Sequence, residues 1–80
     1  MQANEIKLST KERLGRELKS ISEEVTAEDR QMFTDEYGYK RSTISDYIRG
    51  HVYNIDVAMK MLLFFRSRIA ERHRIIETAE

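Results

Sequence analysis

The chain has 80 residues, with fourteen Lys and Arg against fourteen Asp and Glu, 40% apolar residues, three glycines, and neither proline nor cysteine. That length fits one domain, residues 1–80, and excludes a two-domain enzyme. Without cysteine there is no disulfide and no thiolate zinc site, and a single core below about 80 residues rarely supplies more than ~3–5 kcal/mol, which leaves self-association as a route to further stability.

Apolar residues recur at helical spacing along the chain. Leu14, Leu18, Ile21 and Val25 share one helix face. Ser9-Thr10-Lys11-Glu12 has the form of a capping box, in which the Ser hydroxyl accepts from the Glu12 amide and the Glu carboxylate accepts from the Ser9 amide. Gly15 costs this helix about 1 kcal/mol relative to Ala, so it predicts a close packing contact. The helix is predicted to end near Glu24. Thr26 then caps a second helix with Glu28 and Asp29 in its first turn, where acids favour the positive end of the dipole. Met32, Phe33 and Tyr37 are its inward residues, and Gly38 ends it in the position suited to left-handed backbone.

A third helix is predicted over Arg41–Arg49, closed by Gly50, with Ile44, Tyr47 and Ile48 on one side and Arg41, Ser42, Ser45, Asp46 and Arg49 on the other. Asn54 caps a long last helix reaching about Ile76. Ile55, Met59, Leu62, Phe65, Ile69 and Ile76 form one stripe on it. Met61, Phe64, Arg68 and Ile75 form a second, about 100° or more away, which either packs on the first helix or meets a second copy. The expected class is all-α, with four or five helices including a long C-terminal one.

The densest apolar run, Met59 to Phe65, is broken by Lys60 and is far short of the roughly 20 residues a bilayer needs. Met1-Gln2-Ala3-Asn4-Glu5 lacks the basic and apolar regions of a leader, so a cytoplasmic location is expected. His51 and His73 have no acidic or thiol cluster around them. With no nucleophile–base pair and no phosphate-cradling glycine loop either, the expectation is a protein that is not an enzyme and needs no cofactor or metal. The zero net charge hides a polarised chain, since residues 37–74 carry +5 and residues 1–36 carry −3. Phosphate binding depends on local cations, not on the total.

Two helices joined at Gly38, the second short, polar and basic on its outer face, describe a helix-turn-helix. With Gly38 as the turn glycine, the motif's hydrophobic positions fall on Phe33, Tyr37, Tyr39, Ile44 and Tyr47, and its tight position between the helices on Thr34. The string Tyr37-Gly38-Tyr39-Lys40-Arg41-Ser42-Thr43-Ile44-Ser45, followed by Gly50, resembles the turn and recognition helix of the phage-repressor (Cro-like) and Lac-repressor-like families over Arg30–Gly50. Lys40 stands where those families usually have Ser. The last helix continues where they commonly turn into a fifth.

The resemblance implies sequence-specific binding of double-stranded DNA by a small bacterial, phage or mobile-element regulator of repressor type. Arg41, Ser42, Ser45 and Asp46 are the implied base readers, Arg through bidentate bonds to guanine and Asp46 by accepting from cytosine. Lys40, Thr43, Arg49, His51 and Tyr53 are the implied phosphate contacts. A homodimer that reads two half-sites is expected through Met61, Phe64, Phe65, Ile69, Ile75 and Ile76. The alternative is a helical protein-interaction module, such as an antitoxin or phage accessory factor, whose last helix binds another protein.

Overall fold

A computed structural model describes residues 9–78, with side chains through residue 76; the segment read above for a leader lies outside these residues. Among them four α-helices follow one another, α1 (Thr10–Ser20), α2 (Ala27–Tyr37), α3 (Arg41–Ile48) and α4 (Ile55–Thr78), with a 3-10 turn at Ser22–Glu24. The fold is all-helical, and its long last helix runs without a break. No described helix is long and apolar enough to cross a membrane.

Local chemistry sets the helix starts. Ser9 and Glu12 close their capping box with two bonds of 3.1 Å, and Thr26 and Asp29 close a second at 3.0 and 3.1 Å. At the head of α4 the Asn54 Oδ1 accepts from the Val57 amide at 3.0 Å. Gly38 ends α2 at φ 81°, with its amide donating to the Thr34 carbonyl at 2.7 Å. The first helix stops at Ser20, earlier than expected. There the Ser20 hydroxyl donates to the Glu17 carbonyl at 2.6 Å, a local bond that competes with continuation, and the chain tightens into the 3-10 turn. That turn still delivers Val25 to the core.

Phe33 is the hub of the interior. It is fully buried, and the rings of Tyr37, Tyr39, Phe64 and Phe65 lie 4.7 to 5.7 Å from it. Tyr37, expected inward, keeps that contact but is exposed along its outer edge. The face of α4 that completes the core is Ala58, Met61, Leu62, Phe65 and Ile69. The stripe read from the sequence is therefore rotated. Ile55, Met59 and Ile76 of the first stripe are exposed, and Met61 of the second is fully buried. Small Ala58, which carries little weight in a hydrophobic pattern, is fully buried in this face.

Two contacts lock α1 and α4 onto the rest. At Gly15 a Cβ would stand 2.6 Å from the Gly50 carbonyl oxygen, so α1 rests directly on the backbone after α3, where Gly50 itself holds φ 101°. This is the close contact that Gly15 predicted. The second is ionic. Asp29, with no exposed surface, accepts from Arg68 Nε at 3.2 Å and from one Arg72 nitrogen at 2.9 and 2.8 Å, while its Oδ2 also takes the Thr26 amide. Arg72 reaches further to the Glu24 carbonyl at 2.5 Å. Burial pushes the Asp29 carboxyl up, but the Thr26 amide and the two guanidiniums outweigh it and hold the group below its ordinary value.

Candidate nucleic-acid interface

Helix α3 is held from behind and open in front. Ile44, Tyr47 and Ile48 are buried, and the Tyr47 hydroxyl accepts from the Asn54 amide at 2.9 Å, which ties the end of α3 to the head of α4. The outer face presents Arg41 and Ser42 to solvent, with Thr43, Ser45 and Asp46 half-buried beside them. Lys40 is the N-cap and makes no side-chain bond to the helix, since an ammonium has nothing with which to accept an amide proton. The first-turn amides of α3 thus point forward without a side-chain cap, together with the positive end of the helix dipole.

At the other end of α3 three of the expected site residues come together. One Asp46 carboxylate oxygen accepts from Arg49 at 3.0 Å and the other from the Tyr53 hydroxyl at 3.1 Å. Arg49, and then Tyr53, hold the Asp46 carboxyl below its ordinary value; in return Asp46 pushes the Tyr53 phenol up. The Tyr53 ring stands edge-on to Tyr47 at 5.6 Å, and the His51 amide donates to the Asp46 carbonyl at 2.9 Å, so the loop after α3 is folded back on the helix. Both Asp46 oxygens are engaged within the chain. That arrangement fits a residue that orients Arg49 and Tyr53 better than one offered to cytosine.

No family model, curated protein or solved structure matches the chain.

Nearer the start of α3, Arg41 and Ser45 line a cavity of about 440 Å³ with Val25, Ala27 and Arg30. Arg30, from α2, donates to the Ser45 hydroxyl at 3.4 Å. Pattern reading assigned Arg30 no role, although it stands fifteen residues before Ser45 at the opening of the resemblance. Lys40 is exposed and apart from these clusters, and His51 is exposed just beyond the Asp46 cluster.

The residues expected at a dimer face divide differently. Met61, Phe65 and Ile69 are spent on the core of this chain, and Phe64 is half-buried against Phe33, Tyr37 and Phe65. Ile75 and Ile76 are exposed near the end of α4. The arginines of α4 also prove to be engaged. Arg66 pairs with Glu17, Arg68 and Arg72 with Asp29, and Arg74 with Glu71. These four are half of the basic residues between residues 37 and 74, and all are neutralised within the chain.

Proposed function

We propose that the chain is a sequence-specific double-stranded DNA-binding protein, acting as a small repressor-like transcriptional regulator of bacterial, phage or mobile-element type. The observation that carries the reading is α3 itself, a short helix braced from behind by Phe33, Ile44 and Tyr47, with Arg41 and Ser42 exposed at an end that lacks a side-chain cap. A helix entering the major groove needs that combination, because its N-terminal residues meet base edges while its back is fixed by the body of the domain. Arg41, Ser42 and Ser45 are the base readers in this reading. Lys40, Thr43, Arg49, His51 and Tyr53 hold phosphates, with Asp46 orienting Arg49 and Tyr53.

Selection of duplexes from a random pool, followed by anisotropy titration, tests the proposal. Arg41→Ala should weaken the selected site by about 10-fold to 100-fold, the worth of one bidentate guanine contact, and should weaken random duplex far less. Equal loss on both contradicts base reading. Pairing of two copies through the end of α4 belongs to the same proposal, with Ile76 as its probe because Phe64 is engaged within the chain. Sedimentation should show a dimer at micromolar concentration that Ile76→Glu dissociates.

One observation favours the second reading, a module that binds another protein. Ile55, Met59 and Leu63 lie one turn apart on the outer side of α4 and are exposed, Leu63 by 65%. A stable complex with a different protein, broken by Leu63→Glu and accompanied by no DNA affinity at low salt, would replace the first reading with this one.

A further inference from the structure

By sequence the positive charge lies in residues 37–74 and an excess of acid in residues 1–36. The fold redistributes both. Because Gly15 lets α1 rest on Gly50, Arg16 and Lys19 of α1 come to line a cleft of about 250 Å³ together with Arg49. Lys19 and Arg49 also line the adjoining cleft of about 470 Å³, which extends to Arg30 and His51. Arg30 in turn lines the cavity that holds Arg41 and Ser45. Lys19 and Arg49 border the first and second of these concavities and Arg30 the second and third, so the three lie side by side as a trough from α1 across the end of α3 to its beginning.

Among the described residues, Arg16, Lys19, Arg30 and Arg41 are in no ion pair, whereas every arginine of α4 is. Two acids also line the trough. Glu12 turns its carboxylate to the Ser9 amide, and Glu23 faces the wide middle section. The trough therefore keeps an excess of positive charge along its length. A small anion would occupy one pocket. A run of cations spaced over three helices suits a ligand whose negative charge is itself repeated along a line, as in the sugar-phosphate backbone of a duplex.

We infer that Arg16 and Lys19 of α1 form a second backbone-binding element, which grips the phosphates of the DNA strand beyond the reach of α3 and fixes the angle at which α3 enters the groove. The inference rests on the DNA-binding reading above and adds α1 to its footprint. Neither residue carries sequence information. Their loss lowers affinity for all duplexes alike.

Anisotropy titrations of the full chain on a fluorescein-labelled random-sequence duplex, between about 50 and 200 mM NaCl, test it, because each phosphate contact contributes about 0.9 to the slope of log K against log salt. The double variant Arg16→Gln with Lys19→Gln should lower that slope by about 1.8 and weaken binding at the low-salt end. Arg13→Gln is the matched control, since Arg13 lies on the other flank of α1 with Met59 and Arg66 and should leave the slope unchanged. Circular dichroism establishes that each variant is folded. If the unaltered chain binds the duplex and the double variant gives the same slope, the inference fails while the DNA-binding reading stands. A drop for Arg13→Gln as large per charge as that of the double variant also overturns it, because total charge would then account for the effect. If the unaltered chain binds no duplex at the low-salt end, both fall.

Discussion

Along α4, Arg66, Arg68, Arg72 and Arg74 each meet an acid, and the pair nearest the core, Arg68 and Arg72, converge on a carboxylate with no exposed surface. Across the molecule, Arg16, Lys19, Arg30 and Arg41 face open concavities without an acid partner. The same residue types thus fasten helices on one flank and remain available to an anionic ligand on the other. What separates the flanks is where the acids lie. Glu17 and Asp29 come from the acid-rich N-terminal half and are consumed by α4, which leaves Arg16, Lys19 and Arg30 of that half without an ion pair. Net charge by sequence segment misses this division, because pairing occurs between segments: it credits the paired arginines of α4 to the basic side and leaves out Arg16, Lys19 and Arg30.

The largest effect should come from breaking the fastened flank. Asp29→Asn removes the charge on which two guanidiniums converge and weakens the Thr26 cap, and loss of one partner of a buried ion pair costs about 3 kcal/mol or more. A chain this small has about 3–5 kcal/mol in all, so the variant should keep about 2 kcal/mol or less and unfold at a much lower urea concentration. The same group sets the acid limb. Its folded value is depressed, so its stabilisation is complete above the unfolded carboxylate value of about 4 and is lost as pH falls through the folded one. Below about pH 4 the melting temperature of the unaltered chain should fall towards that of Asp29→Asn, and the gap between them should narrow. A gap independent of pH would show that the carboxylate charge is not what joins α2 to α4.

Next in size is the contact that brings α1 to the open flank. Gly15→Ala gains about 1 kcal/mol of helix propensity but drives a methyl group against the Gly50 carbonyl, and backbone cannot yield as a side chain can. A net loss of about 2 kcal/mol is expected, with the salt slope for duplex reduced because Arg16 and Lys19 are displaced from Arg49. Unchanged stability would mean that the two segments part without cost.

These two contacts differ in how far they can be read from sequence. Caps are legible because a Ser or Thr and its acid three residues on complete their bonds within one turn, as Ser9 with Glu12 and Thr26 with Asp29 do. Gly38 is legible because it ends a helical pattern where left-handed backbone is needed, and Gly15 because it costs propensity inside a helix, which a close packing contact explains. The second role of Asp29 is not, since its partners stand 39 and 43 residues away and only the folded chain brings them together. Arg72 belongs to no pattern of apolar residues, yet it continues the core stripe of Phe65 and Ile69, one turn further on. Hydrophobic spacing skips it because it is charged, and skips Ala58 because it is small.

A smaller effect, of the opposite sign, is expected at Thr34 of α2. Its hydroxyl is buried and makes no hydrogen bond. Thr34→Ala removes that uncompensated group and improves helix propensity, so the chain should gain about 1 kcal/mol in urea. Thr34→Val keeps the shape and separates the two contributions. If Val gains nothing, the hydroxyl carries no penalty and the change in Ala is propensity alone.

The smallest change lies where the two flanks give way to the end of α3. Asp46→Asn keeps side-chain volume but removes the charge shared by Arg49 and Tyr53. The Tyr53 phenol, pushed up by Asp46, should return downwards towards its ordinary value, visible as earlier tyrosinate absorbance on raising the pH and absent in a Tyr53→Phe background. Unfolding in urea should hardly change, since the cluster is at the surface. Because Asp46 orients Arg49 and Tyr53 for the proposed phosphate contacts, random duplex should bind slightly less tightly and with a shallower salt slope. A phenol that does not move would show that Asp46 does not hold Tyr53 in solution, and would return its carboxylate to the base-reading role that the sequence resemblance implies.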